Sequence, residues 1–309
     1  MVTTKKWVIG GGISGLVFQF YHPDFTIITP EVGGMYNKTY MVWLHDQPET
    51  RKLLTDLGLE VKPKRSYIGY YSNGWILENK TKEMNISMIQ KKMSPWNEKI
   101  DSSFVPPSLD MSTVPTFGPS YLNSLDTDLS EIIRRLEERS VVQNGLVTKI
   151  SSTHIQVLDQ QTKQQEDVEY SELVTTIPAP HFWKAWGEPR DFKFYPITNI
   201  ITQDKPKAYD DKFEMVYYDS SVPYSRVSHL SGRYAYEFTG ILPREDVEKV
   251  LPNVSVEDYV VVRQGRIFES GPNDPPKPNV FFLGRFATWK YGTTTEHVIK
   301  QSLEYEFKN

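Results

Sequence analysis

The feature that most constrains the fold of this chain is a set of three glycines near its start. The run WVIGG, Trp7 to Gly11, is a short apolar segment that ends in glycines, which is typical of a buried parallel strand. Gly10, Gly12 and Gly15 then follow the spacing G-x-G-x-x-G and lead into the apolar segment SGLVFQF. In such a turn the first glycine allows a tight bend, the second lets backbone approach a pyrophosphate, and the third lets the helix pack on the strand. The stretch predicts a dinucleotide-binding unit, and an ordinary tight turn is the alternative.

The second strand of this unit is predicted at Phe25 to Thr29. Dinucleotide-binding folds place an acidic residue about 20 positions after the glycines, where it binds ribose hydroxyls. Glu31 is the candidate for that role, and a solvated loop charge is the alternative. Gly33 and Gly34 follow, and a nicotinamide-binding fold does not require this pair. A plain turn would also explain it.

The glycine loop, the second strand and the Gly-Gly pair together resemble the FAD-binding signature of the amine oxidase and UDP-galactopyranose mutase superfamily. The resemblance implies that FAD is the cofactor and that a Rossmann-type half of the protein holds it. The cofactor-binding residues that it implies in this region are Gly10, Gly12, Ser14, Gly15, Glu31, Gly33 and Gly34.

A second stretch similar to the mutases lies near the C-terminus, in NVFFLGRFATWKYGTTTEHVIKQSLEYEF. A buried strand is predicted at Val280 to Leu283, and a helix from about Thr295. The resemblance places Gly284, Arg285 and Thr294 at the cofactor, with the arginine on its phosphates. It also places Trp289 and Tyr291 at the substrate, in the position of a Tyr-x-Tyr motif whose first tyrosine is replaced, and it implies a catalytic role for Tyr291. The mutases continue with a Leu-Asp-Met-like run where this chain has Gly-Thr-Thr, which leaves the reaction open.

Two further stretches resemble the mutases more than the amine oxidases. The segment EMVYYDSSVPYSRVSHL matches a mutase segment that ends in Pro-Tyr-x-Arg, which implies that Tyr224 and Arg226 bind substrate and that Arg226 is catalytic. A guanidinium suits a diphosphate because its planar fork matches phosphate oxygens. His45 precedes an amphipathic segment, as a histidine does in the mutases, and we assign it a catalytic role with a structural one as the alternative.

The predicted fold class is α/β, with a Rossmann-type FAD-binding domain interleaved with a smaller α+β substrate domain. We expect residues 1–60, 130–180 and 270–309 to form the FAD-binding domain, and residues 61–129 and 181–269 the substrate or lid domain. The segment Leu129 to Ser140 has the periodicity of an amphipathic helix. The segments VVQNGLVTKI and THIQVLD predict a strand pair with a Gln-Asn-Gly turn, and YIGYYSNGWILENK predicts two strands joined by Asn-Gly.

Composition excludes several classes of protein. The chain has no cysteine, so disulfides, thiolate catalysis and cysteine-ligated metals are excluded, and we predict no metal site. The net charge of −4 and the absence of a strongly basic segment argue against a nucleic-acid partner. We find neither a signal peptide nor an apolar run of membrane-spanning length, so we expect a cytoplasmic protein with no membrane association. The sequence leaves the oligomeric state open.

Three functions remain in competition. The resemblance first implies a mutase-like enzyme that uses reduced FAD on a nucleotide sugar, with Arg226 and Tyr291 holding the diphosphate. The second is a flavin oxidase or dehydrogenase of the amine oxidase type, in which Trp289, Lys290 and Tyr291 supply an aromatic cage or a lysine. The third is a binding protein without mutase activity, either flavin-binding or cofactor-free, because a fold by itself does not establish an activity.

Overall fold

The computed structural model describes residues 5–34, 44–72, 74–77, 80–98, 117–118, 121–206, 209–230, 232–267, 273–290 and 292–305 of the 309-residue chain. The strands, in chain order, are β1 (Lys6–Ile9), β2 (Thr26–Thr29), β3 (Leu44–His45), β4 (Pro63–Ser72), β5 (Trp75–Leu77), β6 (Lys80–Thr81), β7 (Phe117–Gly118), β8 (Tyr121–Leu125), β9 (Val142–Asn144), β10 (Leu146–Ile150), β11 (His154–Leu158), β12 (Gln165–Glu169), β13 (Glu172–Thr175), β14 (Phe194–Thr202), β15 (Phe213–Tyr218), β16 (Arg226–Leu230), β17 (Arg233–Thr239), β18 (Asp258–Ile267) and β19 (Val280–Phe282). The α-helices are α1 (Ile13–Tyr21), α2 (Pro48–Asp56), α3 (Lys82–Lys92), α4 (Leu129–Glu137), α5 (Ala179–Trp186), α6 (Val247–Val250), α7 (Arg285–Thr288) and α8 (Thr295–Leu303).

A five-stranded parallel sheet has the strand order β19-β13-β1-β2-β9. The chain leaves β1 toward β2 and β9, then returns to the other side of β1 to form β13. The crevice between β1 and β13 is therefore the point where the strand order reverses, and open α/β sheets bind their ligands at the carboxyl end of such a crevice. This sheet, with helices α1 and α8 packed against each other beside it, confirms the predicted α/β class.

The parallel sheet is covered on both faces, which explains why its inner strands β1, β2 and β13 contain consecutive buried apolar residues. One face packs with α1, α2, α4 and α8 around side chains that include Val8, Ile27 and Val174. The other packs with the three-stranded antiparallel sheet β10-β11-β12 and with α5, through side chains that include Ile9, Ile28 and Leu173. The sheet is thus held rigidly, and only its strand ends remain for ligands.

A large mixed sheet has the order β18-β14-β17-β16-β15-β4-β8-β3, and β5 pairs with β4. Its strands come from residues 44–125 and 194–267. One face buries an aromatic-rich cluster that includes Tyr218, Tyr236 and Phe238. The opposite face carries the polar side chains described below. Because β3 belongs to this sheet while α2 packs in the core beside α1, residues 44–56 bridge the two sheets.

The structure confirms several predicted elements and corrects one. Helix α4 and the β4–β5 hairpin lie where the sequence predicts them, and Gly74 adopts a left-handed φ of +89° in the hairpin turn. The predicted pairing of the segments VVQNGLVTKI and THIQVLD is confirmed by β10 and β11, but the Gln-Asn-Gly turn is wrong. Strand β9 joins the parallel sheet beside β2, and Gly145 connects it to β10 in the next sheet. The antiparallel partner of β10 is β11, which follows a turn at residues 151–153. No helix in the part of the chain that the structure describes is long and apolar enough to span a membrane.

Candidate functional site

The three glycines of the first loop lie at the carboxyl end of β1. Gly10 has a φ of +107°, a conformation that side chains rarely adopt. A Cβ atom on Gly15 would lie 2.0 Å from the carbonyl oxygen of Gly10, so α1 approaches the turn more closely than any side chain would allow. Two of the three positions therefore require glycine for reasons of backbone geometry and packing alone.

Gly12 differs from the other two glycines. It is the N-cap of α1 in extended conformation, and a Cβ built on it would meet no atom within 4 Å. The protein itself therefore does not require glycine at this position. The free N–H groups of a helix N-terminus attract anions, and a bare Cα beside them lets a phosphate approach the backbone.

The Gly33–Gly34 pair packs directly against this loop. The Gly33 N–H donates a hydrogen bond of 2.8 Å to the Gly11 carbonyl, and Gly33 forms an isolated parallel bridge with Gly12. A Cβ on Gly34, whose φ is +56°, would lie 3.3 Å from the Cα of Gly12. Glu31 lies two residues beyond the end of β2, with an exposed side chain. The structure thus brings Gly33 and Gly34 to the first loop, and Glu31 precedes them in the same segment.

The C-terminal segment reaches the same loop. Gly284 has a φ of +86°, and a Cβ on it would lie 2.6 Å from the hydroxyl of Ser14. Arg285 follows as the first residue of α7, where the sequence predicts a loop. Thr294 is the N-cap of α8, and its hydroxyl lies 2.5 Å from Nδ1 of His297.

A threonine that the sequence reasoning missed holds the turn. The hydroxyl of Thr176, the residue after β13, lies 3.1 Å from the carbonyl oxygens of both Ile9 and Gly10 and donates to them. It spans the crevice between β1 and β13 at the point where the strand order reverses. The available signal was a hydroxyl residue at the end of the run LVTT, shortly before Pro178.

This arrangement fits the pyrophosphate of a dinucleotide. Glycine positions from both ends of the chain converge at the carboxyl end of β1, and the open Cα of Gly12 lies at the N-terminus of α1. A side chain on Gly12 would fill that space without disturbing the protein. The residues present are therefore suited to hold a cofactor of the FAD kind there.

A second group of candidate residues lies on the large sheet. Arg226 on β16 faces Glu237 directly across the antiparallel pair with β17, and its Nη2 lies 2.5 Å from Oε2 of Glu237. The other carboxylate oxygen accepts a hydrogen bond from Nη2 of Arg266 on β18. The side chains of Glu237 and Arg266 are 3% and 5% exposed, whereas that of Arg226 is 22% exposed. Arg226 is thus the outer end of a buried chain of three charged groups, which we call the arginine–glutamate cluster.

The charges of this cluster hold Glu237 in its ionised form. Burial acts to raise the pKa of the carboxyl group, but the positive charges of Arg226, Arg266 and Lys92 outweigh it and bring the pKa to about 2. Burial likewise opposes the charge of Arg226, and Glu237 raises the pKa of that guanidinium. The sequence analysis did not identify Glu237 and Arg266 as candidate site residues. The available signal was the presence of charged residues inside the otherwise apolar or aromatic strand segments RYAYEFT and VVVRQGRI.

Two other predicted substrate residues, Tyr224 and Trp289, pack into hydrophobic clusters instead. The Tyr224 ring packs against Tyr218 and Tyr236, with centroids 4.7 and 5.0 Å apart, and these side chains belong to the aromatic cluster on the opposite face of the sheet. Burial raises the pKa of Tyr224 to about 12. Trp289 is 1% exposed and packs against Phe192, so its indole is part of the hydrophobic core. Tyr291 lies outside the described residues.

His45 forms an ion pair rather than a contact with the arginine–glutamate cluster. Its Nδ1 lies 2.6 Å from Oε1 of Glu296, in the first turn of α8. The hydrogen bond to Glu296 raises the pKa of His45, although burial opposes this. Burial acts to raise the pKa of Glu296, but the hydrogen bond to His45 and the nearby backbone lower it to about 2. The pair joins β3 of the large sheet to the helix whose N-cap is Thr294.

No family model and no curated protein matches the sequence. Solved structures match over nearly the whole chain. Reduced UDP-galactopyranose mutase is 12% identical, with a TM-score of 0.68, and the match covers 97% of this chain and 94% of that one. The chain has the fold of flavin-dependent mutases and amine oxidases. Cyclohexylamine oxidase from Brevibacterium oxydans is 11% identical, with a TM-score of 0.56 and 97% of both chains covered. A fatty acid isomerase from P. acnes is 13% identical, with a TM-score of 0.57 and 98% of both chains covered. Such identities show a shared fold, and the activity has to be argued from the site.

Proposed function

We propose that this chain is an FAD-dependent enzyme of the mutase kind that acts on a nucleotide sugar. The observation that carries the proposal is the arginine–glutamate cluster on the large sheet. Arg226, Arg266 and the nearby Lys92 bring three positive charges to one carboxylate, Glu237, so the net charge is +2. A partly buried site with this excess attracts an anionic group such as a diphosphate and repels a cationic amine.

The first loop and the Gly33–Gly34 pair, which we together call the glycine cradle, are the proposed FAD site. Gly10, Gly12 and Gly15 would hold the pyrophosphate at the N-terminus of α1, with Gly33 and Gly34 closing the loop beside them. Ser14, Glu31, Gly284, Arg285 and Thr294 are the further proposed cofactor residues. Bound FAD in its reduced form would supply the nucleophile that the amino acids of the site do not.

The proposed role of Arg226 is to bind and orient the substrate diphosphate. Glu237 and the Tyr217 hydroxyl accept hydrogen bonds from the guanidinium, which fixes its plane, and its remaining N–H groups would bind phosphate oxygens. Arg226 would neutralise charge on the leaving nucleoside diphosphate, so its contribution grows as that group departs. We also propose Tyr291 as a substrate contact, while His45 is better explained by its pairing with Glu296.

We further propose the division into domains predicted from the sequence. Residues 1–60, 130–180 and 270–309 would form the FAD-binding domain around the parallel sheet. Residues 61–129 and 181–269 would form the substrate domain around the large mixed sheet, and the glycine cradle and Arg226 would face one cleft between them.

An amine oxidase or dehydrogenase activity is the second candidate, because cyclohexylamine oxidase shares the fold. It would be favoured by an exposed aromatic cage, and Trp289 is instead buried beside Phe192 and Phe194.

The test compares the FAD-loaded wild type with Arg226→Met and Arg226→Lys. Flavin absorbance and fluorescence are followed, in both redox states, as UDP, a UDP-sugar or a simple amine is added. We expect Arg226→Met to retain FAD but to lose about 2–4 kcal/mol of UDP binding, because a partly desolvated charge pair is removed. Arg233→Met, on the exposed end of β17, is the matched control and should behave as wild type. A wild type that responds to the amine and to neither nucleotide would refute the proposal in favour of the second candidate.

A further inference from the structure

The C-terminal end of α3 is fixed onto the face of the large sheet that carries Arg226. The carbonyl oxygen of Lys92, the last residue of α3, accepts hydrogen bonds of 2.7 Å from Nη1 of Arg266 and from the hydroxyl of Thr239. Arg266 also binds Glu237, so the helix end and the arginine–glutamate cluster share a residue. The position of Lys92 is therefore set by the same contacts that assemble the cluster.

The ammonium group of Lys92 lies over the ring of Tyr217, the residue that pairs with Arg226 in the sheet. Its Nζ is 5.1 Å from the centroid of the Tyr217 ring, and Tyr217 faces Arg226 directly across the β15–β16 pair. A cation–π contact positions an ammonium group without neutralising its charge. Among the residues that the structure describes, no carboxylate oxygen lies within 4.0 Å of this Nζ, because Glu237 is taken by the two arginines.

Lys91, the preceding residue, has a purely structural role and differs from Lys92 in its contacts. Lys91 is 7% exposed, and its Nζ donates a hydrogen bond of 2.7 Å to the carbonyl oxygen of Val222. It thereby fastens the loop before β16. Lys92 is partly exposed and makes no such contact with its ammonium group in the described part of the chain. The charge of Lys92 is thus available to a ligand.

We infer that Lys92 is a specificity-determining residue whose ammonium group binds, together with the Arg226 guanidinium, the phosphate groups of an anionic substrate. This inference rests on the proposed function and adds a residue to it. The arginine offers a planar fork and the lysine a compact charge. Arg226 lies opposite Tyr217 in the β15–β16 pair, and the Lys92 ammonium group lies over the Tyr217 ring. A diphosphate presents two phosphate groups, so each cation has its own partner.

The experiment measures binding to the FAD-loaded protein by isothermal titration calorimetry. The probes are UDP, inorganic pyrophosphate and uridine, and the variants are Lys92→Met, Lys92→Arg and the exposed control Lys149→Met on β10. We expect Lys92→Met to bind UDP and pyrophosphate at least tenfold more weakly, because one charged hydrogen bond is lost. Lys92→Arg should stay within about threefold of wild type, since it keeps the charge. Lys149→Met should bind as wild type does, and uridine affinity should be the same in all four proteins.

Three results would overturn the inference. If wild type and Lys92→Met bind UDP and pyrophosphate equally, Lys92 has no such role, while the proposed function stands. If uridine affinity falls as much as UDP affinity in Lys92→Met, the lysine acts through the structure and does not bind phosphate. If the wild type binds neither UDP nor pyrophosphate, both the inference and the proposed function fail.

Discussion

Glu237 lies directly opposite Arg226 in the β16–β17 pair, and the two side chains form an ion pair of 2.5 Å between Oε2 and Nη2. The second oxygen of Glu237 is bonded to the buried Arg266. One carboxylate on β17 therefore neutralises part of the charge of two arginines, one on the neighbouring strand β16 and one on β18, two strands away.

The first prediction follows from the pairing of one carboxylate, Glu237, with two arginines. Glu237→Gln removes the only negative charge of the arginine–glutamate cluster and leaves Arg266 buried without compensation. We expect a loss of about 3–5 kcal/mol in the free energy of unfolding, measured by urea denaturation. Glu257→Gln breaks the more exposed pair with Arg233 and should cost less than about 1 kcal/mol. Equal losses in the two variants would contradict the account of the cluster.

The second prediction concerns the pH dependence of the His45–Glu296 pair. The raised pKa of His45 means that its contribution is complete below about pH 6.5, the value of a free histidine, and disappears as the pH rises through the folded-state value. The pKa of Glu296, lowered to about 2, means that its contribution is present above about pH 4.5 and disappears as the pH falls toward 2. The pair therefore stabilises the protein most between about pH 4.5 and 6.5.

The measurement compares the free energy of unfolding of the wild type and of His45→Gln by urea denaturation at about pH 5.5, 7 and 8.5, which lie on both sides of the ordinary histidine pKa. We expect the two free energies of unfolding to differ by about 1 kcal/mol at the lowest pH, a modest value because the pair is partly exposed to solvent. The difference should shrink as the pH rises, because His45 loses its charge. A difference that grows with pH would show that His45 acts as a neutral ring instead.

The third prediction separates cofactor binding from folding at two glycines. Gly12→Val should leave the free energy of unfolding of the cofactor-free protein within about 1 kcal/mol of wild type, because its Cβ meets no neighbour. It should nevertheless abolish FAD retention, measured by the flavin absorbance of the purified protein, since the side chain occupies the pyrophosphate space. Gly15→Ala should instead destabilise the cofactor-free protein through its clash with the Gly10 carbonyl. Full FAD retention by a folded Gly12→Val variant would remove this loop from the proposed site.

The fourth prediction assigns a positioning role to Thr176. Thr176→Val keeps the shape of the side chain but removes its hydrogen bonds to the Ile9 and Gly10 carbonyls. We expect FAD affinity to fall by about 1–2 kcal/mol, because the turn that presents Gly12 loses its support. Thr176→Ser restores the hydroxyl and should recover most of the affinity. Titration of the cofactor-free variants with FAD, followed by fluorescence, measures the effect, and equal affinities for the valine and serine variants would contradict it.

The sequence by itself determined the local units of this protein. The glycine spacing after WVIGG, the amphipathic periodicity of α4 and the apolar run of β19 each depend on neighbours within a few residues, and each lies where the sequence predicts it. The convergence of Gly284 with Ser14 was expected only through the family resemblance, because the two residues are 270 positions apart.

Only the tertiary structure decided which polar groups meet. Strand pairing in the large sheet places Arg226, Glu237 and Arg266 together, although they come from three strands and the chain order gives no register between them. The same pairing sends Tyr224 to the opposite face from Arg226, although only one residue separates them in the sequence. The strand at residues 142–144 pairs with β2 in the parallel sheet instead of forming a hairpin. The local sequence pattern did not predict this pairing, because β2 is more than 100 residues away. Contacts of this kind are fixed by packing across the whole molecule, and short-range sequence patterns carry no record of them.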